Sequence, residues 1–176
     1  NLGVAYYRRR RGDRAENLAR AAALYQDALS VMTLSAMPSA WVTLCMNLAQ
    51  AHAGLGEAKS EYRDYAVALY EQILEHVSLW DDPRTYELAQ RRLGMLHMDE
   101  ERWEAACTAF RAALEARELL YYAGMTPEAR SAELAASERL PSLAAHALAH
   151  SSPRQQGPCL VEAMLQLDRS RARWLC

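Results

Sequence analysis

The segment NLGVAY at residues 1–6 returns as NLAQAH at residues 47–52 and as RLGMLH at residues 92–97. A second segment, AAALYQDAL at residues 21–29, returns as AVALYEQIL at 66–74 and ACTAFRAAL at 106–114. Pro38, Pro83 and Pro127 punctuate the same series at intervals of 45 and 44 residues. A period of this length belongs to units too small to bury an apolar face alone, which acquire a core only by stacking on neighbours. Ala, Leu, Arg and Glu dominate the 176 residues and β-branched side chains are sparse, so an all-α chain is expected. The repeat sets the expected boundaries: helical hairpins over residues 1–37, 38–82 and 83–126, and a divergent fourth over 127–176.

Spacing inside each unit carries the packing argument. In the third, Leu93, Gly94, His97, Ala106, Phe110 and Ala113 stand where the tetratricopeptide repeat has leucine, glycine, an aromatic, alanine, phenylalanine and alanine. Two helices approach closely only where side chains are short, which explains Gly94 and Ala106, while Leu93, Phe110 and Leu114 fill the space beside them. The chain therefore resembles a tetratricopeptide array, and the resemblance implies a right-handed superhelix of antiparallel hairpins, an α-solenoid.

The first two units separate the same anchors further, 18 positions from Gly3 to Ala21 and 17 from Ala49 to Ala66, against 12 from Gly94 to Ala106. The extra residues are expected in the turns, RRRRGDRAEN and GLGEAKSEYRD, with Asp13 and Glu16, or else Asn17, capping the following helix. The second helix of the first unit is expected to overrun toward Pro38. Gly124 should end the long helix of the third unit, and Thr126, Pro127 and Glu128 should open another. That helix is expected to continue to residue 150 with a bend at Pro141. SSPRQQGP reads as a loop, and CLVEAMLQLDRSRARWLC as a return helix.

Long hairpins carrying NLG-x-AY, a GDRAEN turn and A-x-x-x-Y-x-x-AL, with Trp41 after the boundary Pro38, resemble the arrays that precede CHAT-type caspase-like protease domains. LDRSRARWL at residues 167–175 is similar to the helix that closes such arrays. Ala49 departs from the pattern by replacing the glycine of the second unit, and no protease domain is present. The resemblance implies a piece of a longer protein of bacterial stress or defence signalling. More repeats are expected before Asn1, and an output domain after Cys176.

Charge and motif content narrow the function classes. A net charge of −2 argues against a field that recruits nucleic acid or an anionic membrane. No apolar run reaches the length of a membrane span, and the arginine-rich start is not a signal peptide, so a cytoplasmic location is expected. Cys45, Cys107, Cys159 and Cys176 stand far apart with no C-x-x-C pair, a spacing for neither disulfides nor zinc. The first three lie in apolar helical contexts and are expected to be packed. His52 and His97 share the repeat position of Tyr6 and are likewise read as packing residues. Glu57, Glu61 and Asp64 read as a solvated turn, and Asp81, Asp82 and Pro83 as a helix start. GLGEAK at residues 54–59 lacks the spacing of a phosphate loop. No catalysis, cofactor or metal site is expected. The run Arg8, Arg9, Arg10, Arg11 and Arg14 has two readings: cations at the end of a helix, or a contact for an anion or nucleic acid. The first is preferred, because no stripe of arginine continues on the next hairpins. Arg169, Arg171 and Arg173 have the same two readings.

An array of this kind exposes a concave surface built from the first helix of each pair. In this register it should include Val4, Tyr7 and Arg8, then Met46, Gln50 and Ala53, then Arg91, Met95 and Met98. Methionine and arginine suit an adaptable groove for a helix or extended peptide. Val4, Gln50 and Met95 depart from the lysine and asparagine pattern of a carboxylate clamp. The expected function is a protein-interaction and sensing scaffold for an attached or separate effector, with passive support of a larger cysteine peptidase as the alternative.

Overall fold

A computed structural model describes residues 2–56, 59–124, 126, 128–129, 132 and 139–151. Helix follows helix, and no strand occurs among the described residues. The helices are α1 (Leu2–Arg8), α2 (Arg14–Leu29), α3 (Pro38–Leu55), α4 (Ser60–Leu74), α5 (Pro83–Asp99), α6 (Trp103–Ala123) and α7 (Leu140–His150). The chain divides into two compact units, Asn1–His76 and Val77–Cys176.

Helix starts follow local chemistry. Asp13 caps α2 by accepting a hydrogen bond from the Glu16 amide at 2.8 Å, which decides between the two expected caps. Asn17 is buried and serves the preceding turn instead, its Nδ2 donating to the Arg11 carbonyl at 2.9 Å. Pro38 and Pro83 occupy the first turns of α3 and α5, where a missing amide hydrogen costs nothing, and Asp82 caps α5 through the Thr85 amide. Gly124 follows the last residue of α6, as expected. Thr126 accepts from the Ala129 amide at 3.2 Å, the geometry of the anticipated helix start.

Three local expectations are corrected. The long turns are in part helix: residues 14–17 belong to α2 and residues 60–64 to α4, because Arg, Ala and Glu are strong helix formers, while residues 9–13 remain a turn. Glu61 and Asp64 consequently lie on α4. In the first unit the second helix does not overrun; it stops at Leu29 and is followed by turns over residues 30–37 held by local bonds such as Met37 amide to Thr33 carbonyl. Pro141 lies in the first turn of α7, not at a bend inside a helix. The loop, the return helix, Cys159, Cys176 and the terminal arginines lie outside the described residues, as does Glu57.

In Asn1–His76 the core joins Ala21, Ala22 and Tyr25 of α2 to Leu44, Leu48 and Ala51 of α3. α1 closes on it at Gly3, where a Cβ would stand 2.6 Å from Cε1 of the Tyr25 ring. Gly54 serves the same purpose between α3 and α2, its missing Cβ lying 2.8 Å from Leu18 Cδ1. In Val77–Cys176 the core joins Ala106, Cys107, Phe110 and Ala113 of α6 to Leu140, Ala147 and Leu148 of α7. α5 closes on it at Gly94, where a Cβ would meet Cδ1 and Cε1 of Phe110 at 2.8 Å. Thus each unit seats an aromatic ring against a glycine of the preceding helix.

Candidate functional site

In the first unit, Val4 and Tyr7 are half-buried and pack against the α2–α3 core, while Arg8 is exposed at the end of α1. On α3, Met46 is buried at 6% exposure, whereas Gln50 and Ala53 remain half-exposed. Of the three α3 positions, Gln50 and Ala53 are therefore the ones that reach the surface.

In the second unit, Arg91, Met95 and Met98 are all half-buried, and their spacings place them on one side of α5. Leu93, Leu96 and His97 are buried. Met95 and Met98 pack against the cluster supplied by α6 and α7. Polar replacements at these methionines would consequently disturb that core as well as any surface.

Arg91 has an internal partner. Its Nε lies 3.2 Å from Oε1 of Glu87 one turn earlier, and a guanidinium nitrogen of Arg117 on α6 approaches the same oxygen at 3.3 Å. Glu87 is buried at 5% exposure, so its charge is held by two cations. Reversing Arg91 to glutamate would set a second carboxylate against the buried Glu87, where solvent screens the pair only in part. The i, i+4 spacing of Glu87 and Arg91 is readable in sequence. The contribution of Arg117, thirty residues on, carries no local signal.

The nucleophile and base types are placed as follows. Burial pushes the Cys45 thiol up to about 11, which keeps it protonated near neutral pH. Cys107 is buried in the α6–α7 core. His52 is stacked between Tyr62 and Tyr65 of α4, with ring centroids 5.6 Å away in both cases. Its Nδ1 is buried without a hydrogen-bond partner among the described residues, and burial lowers its pKa from the ordinary 6.5. On α7, His146 and His150 sit with ring centroids 4.8 Å apart, and Trp103 of α6 stacks on His150 at 4.7 Å. This aromatic group was not singled out from sequence, although the spacing of four between the histidines puts them on one helix face. Gln90, Leu93 and His97 of α5 and Glu104, Ala105, Thr108 and Ala109 of α6 border a concavity of about 320 Å³. Among the described residues no group of three or more His, Cys, Asp or Glu side chains is arranged to hold a metal. No helix among them is long and apolar enough to cross a membrane.

No family model, curated protein or solved structure matches this chain.

Proposed function

We propose that the chain is a non-catalytic protein-interaction and sensing scaffold, a tetratricopeptide-like right-handed array acting in the bacterial cytoplasm. Its effector, attached or separate, is of the CHAT-type protease class. One observation carries the reading: the repeat positions are filled by matching contacts, Gly3 on Tyr25 and Gly94 on Phe110, with Ala21, Ala66 and Ala106 all fully buried. Such contacts define the hairpin unit from which interaction arrays are built. Cys45 supports the non-catalytic part, since a thiol held neutral by burial is a poor nucleophile.

In this reading the first unit offers Val4, Tyr7 and Arg8 with Gln50 and Ala53 beside the buried Met46, and the second unit offers Arg91, Met95 and Met98, to a protein or peptide. A second reading, passive support of a larger cysteine peptidase, is favoured by the engagement of Met95 and Met98 with the α6–α7 core.

Gln50 and Ala53 separate the two, because both are half-exposed and neither is in the α2–α3 core cluster. A photo-crosslinker at Ala53 in the source cell identifies the partner, and titration then compares the parent with Gln50→Glu/Ala53→Arg. The scaffold reading expects at least a tenfold loss of affinity, about 1.4 kcal/mol, at an unchanged melting temperature. No crosslinked partner, or equal affinity, would leave the support reading.

A further inference from the structure

The turn between α1 and α2 borders an open concavity of about 530 Å³ lined by Tyr7, Arg8, Arg9, Arg10, Gly12 and Arg14. Four of the six lining residues are arginines, whose charge is permanent at any physiological pH. No carboxylate belongs to the lining. The two acids nearest in sequence are engaged elsewhere: Asp13 caps α2 through the Glu16 amide, and Glu16 pairs with Arg20 at 2.5 Å.

Helix termination accounts for only one of these arginines. The Tyr7 carbonyl accepts from a guanidinium nitrogen of Arg14, and the Tyr6 carbonyl accepts from the Arg9 backbone amide at 3.1 Å. The side chains of Arg8, Arg9 and Arg10 are not required for either bond. Among the described residues, none of the three is paired with a carboxylate, and all three side chains are exposed.

The surrounding backbone is set in place. Gly12 takes φ +82°, a left-handed conformation that a side chain would oppose. Buried Asn17 holds the Arg11 carbonyl. Arg14 lies over the Tyr7 ring at 5.2 Å and Arg9 over the Tyr6 ring at 6.0 Å. A guanidinium resting on an aromatic face keeps its edge N–H groups free for oxygen acceptors.

We propose that this turn is a binding site for a multiply charged phosphate group, of the clustered-phosphate type found in soluble polyphosphates and polyphosphorylated lipid headgroups. Guanidinium forks match phosphate oxygens in pairs, and several charges on a small anion relieve several arginines at once. The lining is confined to one turn, whereas a surface that follows a nucleic-acid backbone needs charge distributed along a face. The site shares Tyr7 and Arg8 with the proposed scaffold face, but Arg9, Arg10 and Arg14 lie outside that face, so its test turns on residues the scaffold reading does not use.

Inorganic triphosphate and monophosphate, titrated calorimetrically at constant ionic strength, test the site. Phosphatidylcholine vesicles containing phosphatidylinositol 4,5-bisphosphate form a second arm. Triphosphate is expected to bind at least tenfold more tightly than monophosphate. Arg9→Gln/Arg10→Gln, at two exposed positions, is expected to lose at least tenfold in whichever arm binds, with an unchanged circular dichroism spectrum. Stronger retention on vesicles assigns a lipid headgroup, and stronger binding of free triphosphate a soluble ligand; both support the site if the double variant loses them. Equal binding by parent and variant overturns it. So does tighter binding of a single-stranded oligonucleotide than of triphosphate at equal phosphate concentration.

Discussion

His52 occupies a repeat position where the first unit has Tyr6, and it fills that position as an aromatic between two tyrosine rings. Burial favours its neutral form, so the unfolded chain takes up a proton at a higher pH than the folded one. The stabilisation is complete above the unfolded value of 6.5 and is lost as the pH falls toward and through the lower folded value. His52→Phe keeps a flat ring and removes the proton site. Urea unfolding at about pH 7.5 and about pH 5 should therefore show a steeper acid loss in the parent than in the variant. Equal losses would show that His52 titrates alike in both states. The packing role of His52 was readable from the repeat; its unpartnered Nδ1 was not, since that depends on what α4 places beside it.

Between elements, the decisive contact is Gly94 on Phe110. Gly94→Leu places a branched side chain where even a Cβ would lie 2.8 Å from the ring. We expect a loss of about 1–3 kcal/mol in unfolding free energy through overpacking. Phe110→Ala should be costly alone, yet less than additive with Gly94→Leu, because the new leucine enters the space the ring leaves. Strict additivity in denaturant titrations would mean that the two positions do not share that contact. The contact was legible because glycine, alanine and phenylalanine recur at fixed offsets. Helix ends were less so: residues 8–17 look like a turn by polarity throughout, but Arg14, Ala15, Glu16 and Asn17 form the first turn of α2 while residues 9–13 stay non-helical. Gly12 announces a left-handed turn, whereas Glu101 adopts φ 58° between α5 and α6 with no compositional hint. On the candidate groove, periodicity separated Arg91, Met95 and Met98 from the buried Leu93, Leu96 and His97. It could not reveal that Met95 and Met98 pack against α6 and α7, or that Arg117 of α6 shares the Glu87 carboxylate with Arg91, since those contacts link residues remote in sequence.

For the molecule as a whole, each compact unit has its own aromatic-on-glycine contact, and within Asn1–His76 the α2–α3 core bridges a connection that contributes little to it. Residues 30–37 are held by local bonds, and Val31 is 78% exposed. Ala21, Ala22 and Tyr25 meet Leu44, Leu48 and Ala51 across that connection. Cleavage between Leu34 and Ser35 should leave two fragments that copurify and recover the parent's helical circular dichroism on mixing. Failure to associate would show that the α2–α3 core needs an intact chain. If they associate, the peptide linkage through residues 30–37 acts as a tether. Its contribution is an effective concentration, on the order of millimolar for a short flexible linker, at which one helix pair meets the next without diffusing to find it.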